Sequence, residues 1–160
     1  MLELTAQLSA SLDDAVAVIL RSKHVVALAG AGLSVESGIP PFRGPGGLWT
    51  KYGEPTNLSY REFTKDPKEW WEARFRNEDR PGDPTYELKV AVDAAEPNPG
   101  HHALVEMEEM GALQCVVTQN VDNLHREAGS RSLVEIHGNR TWLRCLGCGV
   151  RQPRDGYHFD

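Results

Sequence analysis

The feature that most constrains the fold is a short apolar run followed at once by a glycine-rich segment. Residues 25–29 read VVALA, and residues 30–47 then contain six glycines and three prolines. A short apolar run that begins with β-branched residues is typical of a strand buried on both faces of a parallel sheet. Loops that follow such strands build the nucleotide sites of open α/β sheets. The pattern therefore predicts a buried strand over 25–29 with a candidate nucleotide loop after it.

Two later segments repeat this arrangement of an apolar run before polar residues. A strand is predicted over 113–117, just before the polar segment TQNVDNLH at 118–125. A third strand is predicted over 133–136, directly before His137 and Gly138. Polar clusters at several strand ends are what a nucleotide site in an open sheet requires.

Helices are predicted between these strands from their caps and apolar spacing. They run from a cap at 11–14 to about Lys23, from Asp66-Pro67 to about Arg76, from Asn98-Pro99 to Gly111, and from Asp122 to Gly129. Residues 77–86 are polar and rich in turn formers. The alternation of strands and helices predicts an α/β fold.

Composition excludes several classes of protein. The chain has 160 residues and a formal net charge of −6, which argues against nucleic-acid binding because phosphate contacts need clustered cations. No apolar stretch approaches the length of about 20 residues that a membrane span needs, and the N-terminus lacks the pattern of a signal peptide. Three cysteines do not form a secreted disulfide framework, so a cytoplasmic protein is expected.

The glycines at 30 and 32 are weak evidence by themselves, since such a pair is a structural turn about as often as a phosphate loop. The third glycine of the dehydrogenase fingerprint would fall at position 35, which is Val35. The stretch 40–49 is too rich in proline and glycine for the central strand that this fingerprint requires. An ordinary dehydrogenase is therefore disfavoured.

Four motifs in this order resemble the sirtuin family of NAD-dependent protein lysine deacylases. They are GAGLSVESGIPPFR at 30–43, TQNVDNLH at 118–125, EIHG at 135–138, and Cys145-x-x-Cys148. The resemblance extends from about residue 16 to residue 148 and implies a Rossmann-like parallel sheet. It divides the chain into an NAD-binding part at 1–47, a helical insertion at 48–97, a continued Rossmann-like part at 98–140, and the start of a zinc-binding small domain at 141–160.

The resemblance also assigns roles to individual residues. His137 would be the general base, activating a ribose hydroxyl after the acyl-lysine oxygen has displaced nicotinamide from the ribose. The products would be nicotinamide, O-acyl-ADP-ribose and free lysine. An imidazole with an ordinary pKa of about 6.5 suits this role. Contacts to NAD would come from Gly30, Ala31, Gly32, Ser34, Phe42, Arg43, Gln119, Asn120 and Asp122.

Structural interpretations of the same residues stay open. His137 could be a hydrogen-bonded residue at a strand end, and Asp122 could cap a helix. His101 and His102 are expected at the surface or in a cap, and His125 is expected only to support the pocket. Aromatic residues between 49 and 75 are expected in the core, and Cys115 as an inert buried thiol.

Cys145 and Cys148 are expected to supply two of the four thiolates of a structural zinc site. The alternative is a redox pair, which usually opens a helix; the glycines at 147 and 149 disfavour a helix there.

The sequence also departs from the family pattern. The second Cys-x-x-Cys and the strands that complete the sheet and the NAD site in sirtuins are not in these 160 residues, so we expect little or no deacylase activity from this chain alone. Pro41 stands where many relatives carry aspartate. The tyrosine and arginine that select acidic acyl groups correspond to Arg74 and Asn77, which gives no support for such selectivity. The alternatives to deacylation are ADP-ribosyl transfer and a non-catalytic fragment that binds NAD or zinc.

Overall fold

A computed structural model describes residues 6–54 and 60–155. Its main sheet has three parallel strands in the order β1 (Val26–Ala29), β2 (Cys115–Thr118) and β3 (Leu133–Glu135). Ala29 is in register with Thr118, and Thr118 with Glu135, so the three strands end together at one edge. The α/β class and the parallel sheet predicted from the sequence are confirmed.

Eight α-helices and a short hairpin complete the described part of the chain. The helices are α1 (Ala6–Arg21), α2 (Ala31–Ser34), α3 (Leu48–Tyr52), α4 (Tyr60–Phe63), α5 (Pro67–Glu78), α6 (Pro84–Asp93), α7 (Pro99–Glu109) and α8 (Leu124–Ala128), with a 3-10 turn at Val35–Ser37. The hairpin pairs β4 (Trp142–Arg144) with β5 (Arg151–Pro153) in antiparallel fashion. None of the described helices is long and apolar enough to cross a membrane.

The core lies where α7 packs on the sheet. Val116 at the centre of β2 is fully buried, and Leu113 and Ala29 are buried beside it. Leu104 and Met107 from α7 pack against this cluster. Burying one such aliphatic side chain contributes about 1.5–3 kcal/mol, so this small cluster fixes how α7 sits on the strands.

The prediction that β1 is buried on both faces is wrong. Val26 is 57% exposed and Leu28 73% exposed, because β1 is an edge strand and the described elements leave that face of it uncovered. The predicted cap at Ser11 is also wrong: α1 already begins at Ala6, and the Ser11 hydroxyl donates to the Gln7 carbonyl inside the helix. No side chain of α1 is buried.

The predicted start of α5 is confirmed, because the Asp66 side chain accepts from the Glu69 amide. Helix α8 begins at Leu124 rather than at the predicted Asp122, with Asn123 at its N-cap, although the Asp122 side chain accepts from the Leu124 amide. Gly111 and Gly129 take the positive φ angles expected after helix ends.

Helix α6 and the β4–β5 hairpin were not predicted. Asp83 accepts from the Thr85 amide and Pro84 begins α6, which is the same Asp-Pro signal that marked α5. The signal lay within the stretch 77–86, whose polar composition indicates only turns.

Asn98 joins α7 to the glycine-rich segment. Its side-chain oxygen accepts from the Gly100 amide at 2.9 Å, and its amide nitrogen donates to the Leu33 carbonyl at 2.7 Å and to Ser37 Oγ at 3.0 Å. This side chain therefore caps the helix and fastens the turn after α2 at the same time. It is buried, so water does not readily replace these bonds.

We expect Asn98→Ala to lower the free energy of unfolding by about 2–4 kcal/mol, because it removes a cap and leaves buried groups unpaired. Asp66→Ala removes an exposed cap that accepts one hydrogen bond, from the Glu69 amide, and should cost only about 1 kcal/mol. Urea denaturation of both variants measures the difference. Equal losses would show that Asn98 acts as a cap alone.

Candidate active site

The ends of β1 and β2 are joined by a buried polar network. The Ser34 hydroxyl donates to Asp122 Oδ2 at 2.7 Å, and the Asn120 side-chain amide donates to Ser34 Oγ at 3.0 Å and to the Gly30 carbonyl at 3.1 Å. Ser34 is 1% exposed. Residues separated by 86 to 90 positions in the chain are thereby fixed against one another.

The loop that carries Phe42 and Arg43 is folded against α3. The Leu48 and Trp49 amides donate to the Pro41 and Phe42 carbonyls at 2.9 and 2.8 Å. A Cβ on Gly47 would lie 2.8 Å from the Phe42 carbonyl oxygen, so only glycine allows this close approach. Phe42 and Arg43 are themselves exposed, and they lie on the wall of a cavity between the strand ends.

The turn after β3 presents His137. Glu135 is held by two hydrogen bonds from Arg126, at 3.1 and 2.6 Å, and by one from Asn139 at 2.6 Å. Burial alone would raise the pKa of Glu135, but the hydrogen bonds from Arg126 and Asn139 outweigh burial and lower this pKa. The carboxylate is therefore a charged anchor on which the turn containing His137 is built.

These three segments surround a cavity of about 480 Å³. His137 lies on its wall together with residues from both strand ends. Eight of the ten residues proposed for catalysis and NAD binding line it: Ala31, Ser34, Phe42, Arg43, Gln119, Asn120, Asp122 and His137. Gly30 takes part through its carbonyl, which accepts from Asn120. Gly32 is not on the wall, and a Cβ placed on it would meet nothing within 4 Å.

The cavity also has charged residues that sequence reasoning missed. Glu78 from α5 is 3% exposed and forms ion pairs with Arg74 and Arg154. Burial lowers the pKa of Arg74, and the positive charges of Arg154 and Arg140 lower it further, while Glu78 opposes them. The predicted helix ends near Arg76, so the Arg74–Glu78 spacing of four residues did not stand out as a helical pair; the observed helix extends to Glu78.

For several residues outside the cavity, the predicted burial or role is only partly correct. His101 does act in the α7 cap, because its Nδ1 accepts from the backbone amide of Asn98. It is, however, fully buried rather than at the surface. His102 is exposed as predicted, and His125 is buried behind the cavity. Cys115 is only half-buried.

Cys145 and Cys148 lie in the turn between β4 and β5, and both are exposed. The Cys148 amide and thiol, followed by the Gly147 amide, lower the pKa of the Cys145 thiol. A turn that presents amides to a thiolate suits metal ligation. Among the described residues, no group of three or more His, Cys, Asp or Glu side chains is arranged to hold a metal ion.

A parallel sheet whose strand ends carry a glycine-rich loop and a polar cavity defines a Rossmann-like α/β protein. The profile of the Sir2 family matches residues 30–159. The chain therefore belongs to the Sir2 family, and the resemblance to sirtuins drawn from the four motifs is confirmed.

Individual relatives agree with this assignment. The NAD-dependent protein deacylase of Pyrococcus abyssi is 45% identical over 137 residues, which cover 84% of this chain and 50% of the relative. A Sir2 homologue variant in complex with ADP-ribose has a TM-score of 0.67 and 40% identity, covering 88% of this chain and 52% of that one. A Sir2 variant with a deacetylated p53 peptide and 3′-O-acetyl-ADP-ribose has a TM-score of 0.69 and 32% identity, covering 89% and 53%. The chain spans about half the length of the curated relatives it matches.

Proposed function

We propose that this chain binds NAD in the cavity between its strand ends and takes part in NAD-dependent deacylation of protein lysine, most simply deacetylation. The observation that carries the proposal is the Gly30–Ser34–Asn120–Asp122 network beside His137. The partner is an acyl-lysine protein or peptide. We also propose a cytoplasmic location, on the cysteine pattern alone.

The donor set on the cavity wall fits NAD. The side-chain amides of Gln119 and Asn120 can pair with ribose hydroxyls or a carboxamide, and the Arg43 guanidinium can pair with a phosphate. Open space beside Gly32 leaves room for a group to approach its backbone. The similarity to a Sir2 variant that holds ADP-ribose supports this fit.

The chemistry of the chain's own residues follows from their placement. Bound NAD supplies a ribose carbon from which nicotinamide can leave, opening it to the acyl-lysine oxygen. Buried Ser34 and Asp122 fix the Asn120 amide, so that the polar wall is already oriented before the substrate arrives. His137, exposed on the same wall, can accept a proton from a ribose hydroxyl.

We further propose that Cys145 and Cys148 are two ligands of a structural zinc ion. The pair lies in a tight hairpin turn that contains glycine, and its amides favour the thiolate form of Cys145. Zinc is held by four such ligands in structural sites. Among the described residues, no third His, Cys, Asp or Glu side chain joins the two thiolates in a group that could hold a metal ion.

Gly32→Ala separates NAD binding from folding. The added methyl group meets nothing within 4 Å, and alanine is the better helix former in α2, so the variant should fold at least as stably. If a bound pyrophosphate approaches this backbone, NAD affinity should fall at least tenfold, about 1.4 kcal/mol. Calorimetric titration with NAD measures it.

The matched control is Val35→Ala, which truncates an exposed side chain of the same segment. Its NAD affinity should stay within twofold of the wild type. Unchanged affinity in Gly32→Ala contradicts the approach of a pyrophosphate to this backbone, and no NAD binding by the wild-type chain contradicts the proposed site.

His137→Gln tests the reaction. Formation of O-acetyl-ADP-ribose from an acetyl-lysine peptide, however slow in this chain, should fall by about 100-fold or more, while NAD affinity stays within about threefold. Chromatography of nicotinamide and the acetylated product gives both rates. Nicotinamide release that does not need the peptide would favour ADP-ribosyl transfer, and the absence of any release would favour a non-catalytic NAD-binding part.

Zinc analysis by atomic emission tests the second proposal. Protein purified from zinc-containing medium should carry the metal, and Cys145→Ser and Cys148→Ser should each reduce it at least tenfold. Cys115→Ser, which alters a half-buried thiol on β2, should leave the zinc content unchanged. A zinc-free wild type with a reversible Cys145–Cys148 disulfide would establish the redox alternative instead.

A further inference from the structure

Two buried histidines lie behind the cavity wall. His101 in the first turn of α7 is 0% exposed and His125 in α8 is 2% exposed. Their ring centroids are 5.0 Å apart, with the ring planes at 67°. Neither ring lines the cavity, yet both lie within electrostatic reach of Asp122, which does.

The hydrogen bonds of the two rings leave little room for an added proton. His101 Nδ1 accepts from the backbone amide of Asn98 at 3.3 Å, so in the neutral ring the proton is on Nε2. Within residues 6–54 and 60–155, His101 Nε2 and both ring nitrogens of His125 find no hydrogen-bond partner. A second proton on either ring would bury a charge together with another unpaired N–H group.

Two carboxylates near the pair oppose the effect of burial, because a negative charge favours a protonated ring. Asp122 faces both rings from the segment between β2 and α8, and Glu135 acts on His125 from β3. His102 is the other titratable neighbour of His101, on the same helix. Glu135 is already bonded to Arg126 and Asn139, and Asp122 to Ser34 and the Leu124 amide. Asp122, whose partners are uncharged, is therefore the carboxylate that a protonated ring would attract.

We propose that His101 and His125 are a positioning pair for the NAD site: as neutral rings they leave Asp122 to hold Ser34 and, through it, Asn120. A proton taken up by the pair draws Asp122 towards it and loosens the Ser34–Asp122 bond. This role rests on the proposed function, since it concerns the same cavity.

The direction of the pH effect follows from burial. Burial lowers the pKa of both rings, and the neighbouring His125 lowers the pKa of His101 further, although Asp122 opposes the shift. As the pH falls below about 6.5, the unfolded chain takes up protons that the native pair does not, so stability declines between that pH and the lower native pKa values. The network itself should loosen only in the lower part of this window, where the native pair is titrated.

The first experiment follows the side-chain amide resonance of Asn120 by NMR from pH 8 to pH 5, in the full chain without a ligand. In the wild type this resonance should titrate together with the His101 or His125 ring. In His125→Phe, which keeps a ring in place and removes two nitrogens that have no hydrogen-bond partner among the described residues, the midpoint should shift and the amplitude should fall at least twofold. In His101→Asn combined with His125→Phe, it should not titrate.

The second experiment measures ADP-ribose affinity over the same pH range by calorimetry. The affinity of the wild type should fall by about threefold or more between pH 7.5 and pH 5, and that of the double variant by less than half as much. His102→Gln removes an exposed histidine of the same helix and should keep the wild-type loss. His137 is present in every variant, so it cannot account for a difference between them.

The outcomes separate the two proposals. If ADP-ribose fails to bind at pH 7.5, the NAD site is wrong, and the Asn120 resonance still tests the pair. If this resonance titrates equally in the wild type and the double variant, the positioning role is overturned. Should the double variant not fold, His101→Asn alone, whose side-chain oxygen can replace Nδ1 as the acceptor for the Asn98 backbone amide, should shift the midpoint and lower the amplitude at least twofold, and no change in either overturns the role.

Discussion

The bond between Ser34 and Asp122 is the interaction on which the site depends. It joins the segment after β1 to the segment after β2. Because this hydrogen bond is buried, water does not compete for its donor or its acceptor. Asn120 is oriented by the same hydroxyl and by the Gly30 carbonyl. A ligand entering the cavity therefore meets polar groups whose positions were fixed when the chain folded.

The motifs of the site could be predicted because they are local. Glycine at the strand end, Asn120 and Asp122 after β2, and His137 after β3 are each readable within a few residues, and the parallel sheet brings them to one edge. Caps such as Asp66 and Asn98 were equally readable. Their hydrogen-bonding side chains act on amides only two or three residues away.

What the sequence did not reveal depends on contacts between distant residues. Glu78 is buried because Arg154, 76 residues away, pairs with it, and no pattern near Glu78 indicates this. His101 was expected at the surface or in a cap because it starts a helix; it is buried because α8 brings His125 against it. The exposure of Leu28 has the opposite origin, since an apolar run cannot say whether anything covers it.

The contacts that hold the site in place do not involve the exposed side of β1. Helix α1 buries none of its side chains, and Val26 and Leu28 are largely exposed, so that side contributes little to stability. The site instead rests on α7, whose Asn98 bonds the turn after α2, and on the buried centre of β2. Because these contacts do not involve α1, the Ser34–Asp122–Asn120 network is formed even though the described residues leave that side of β1 exposed.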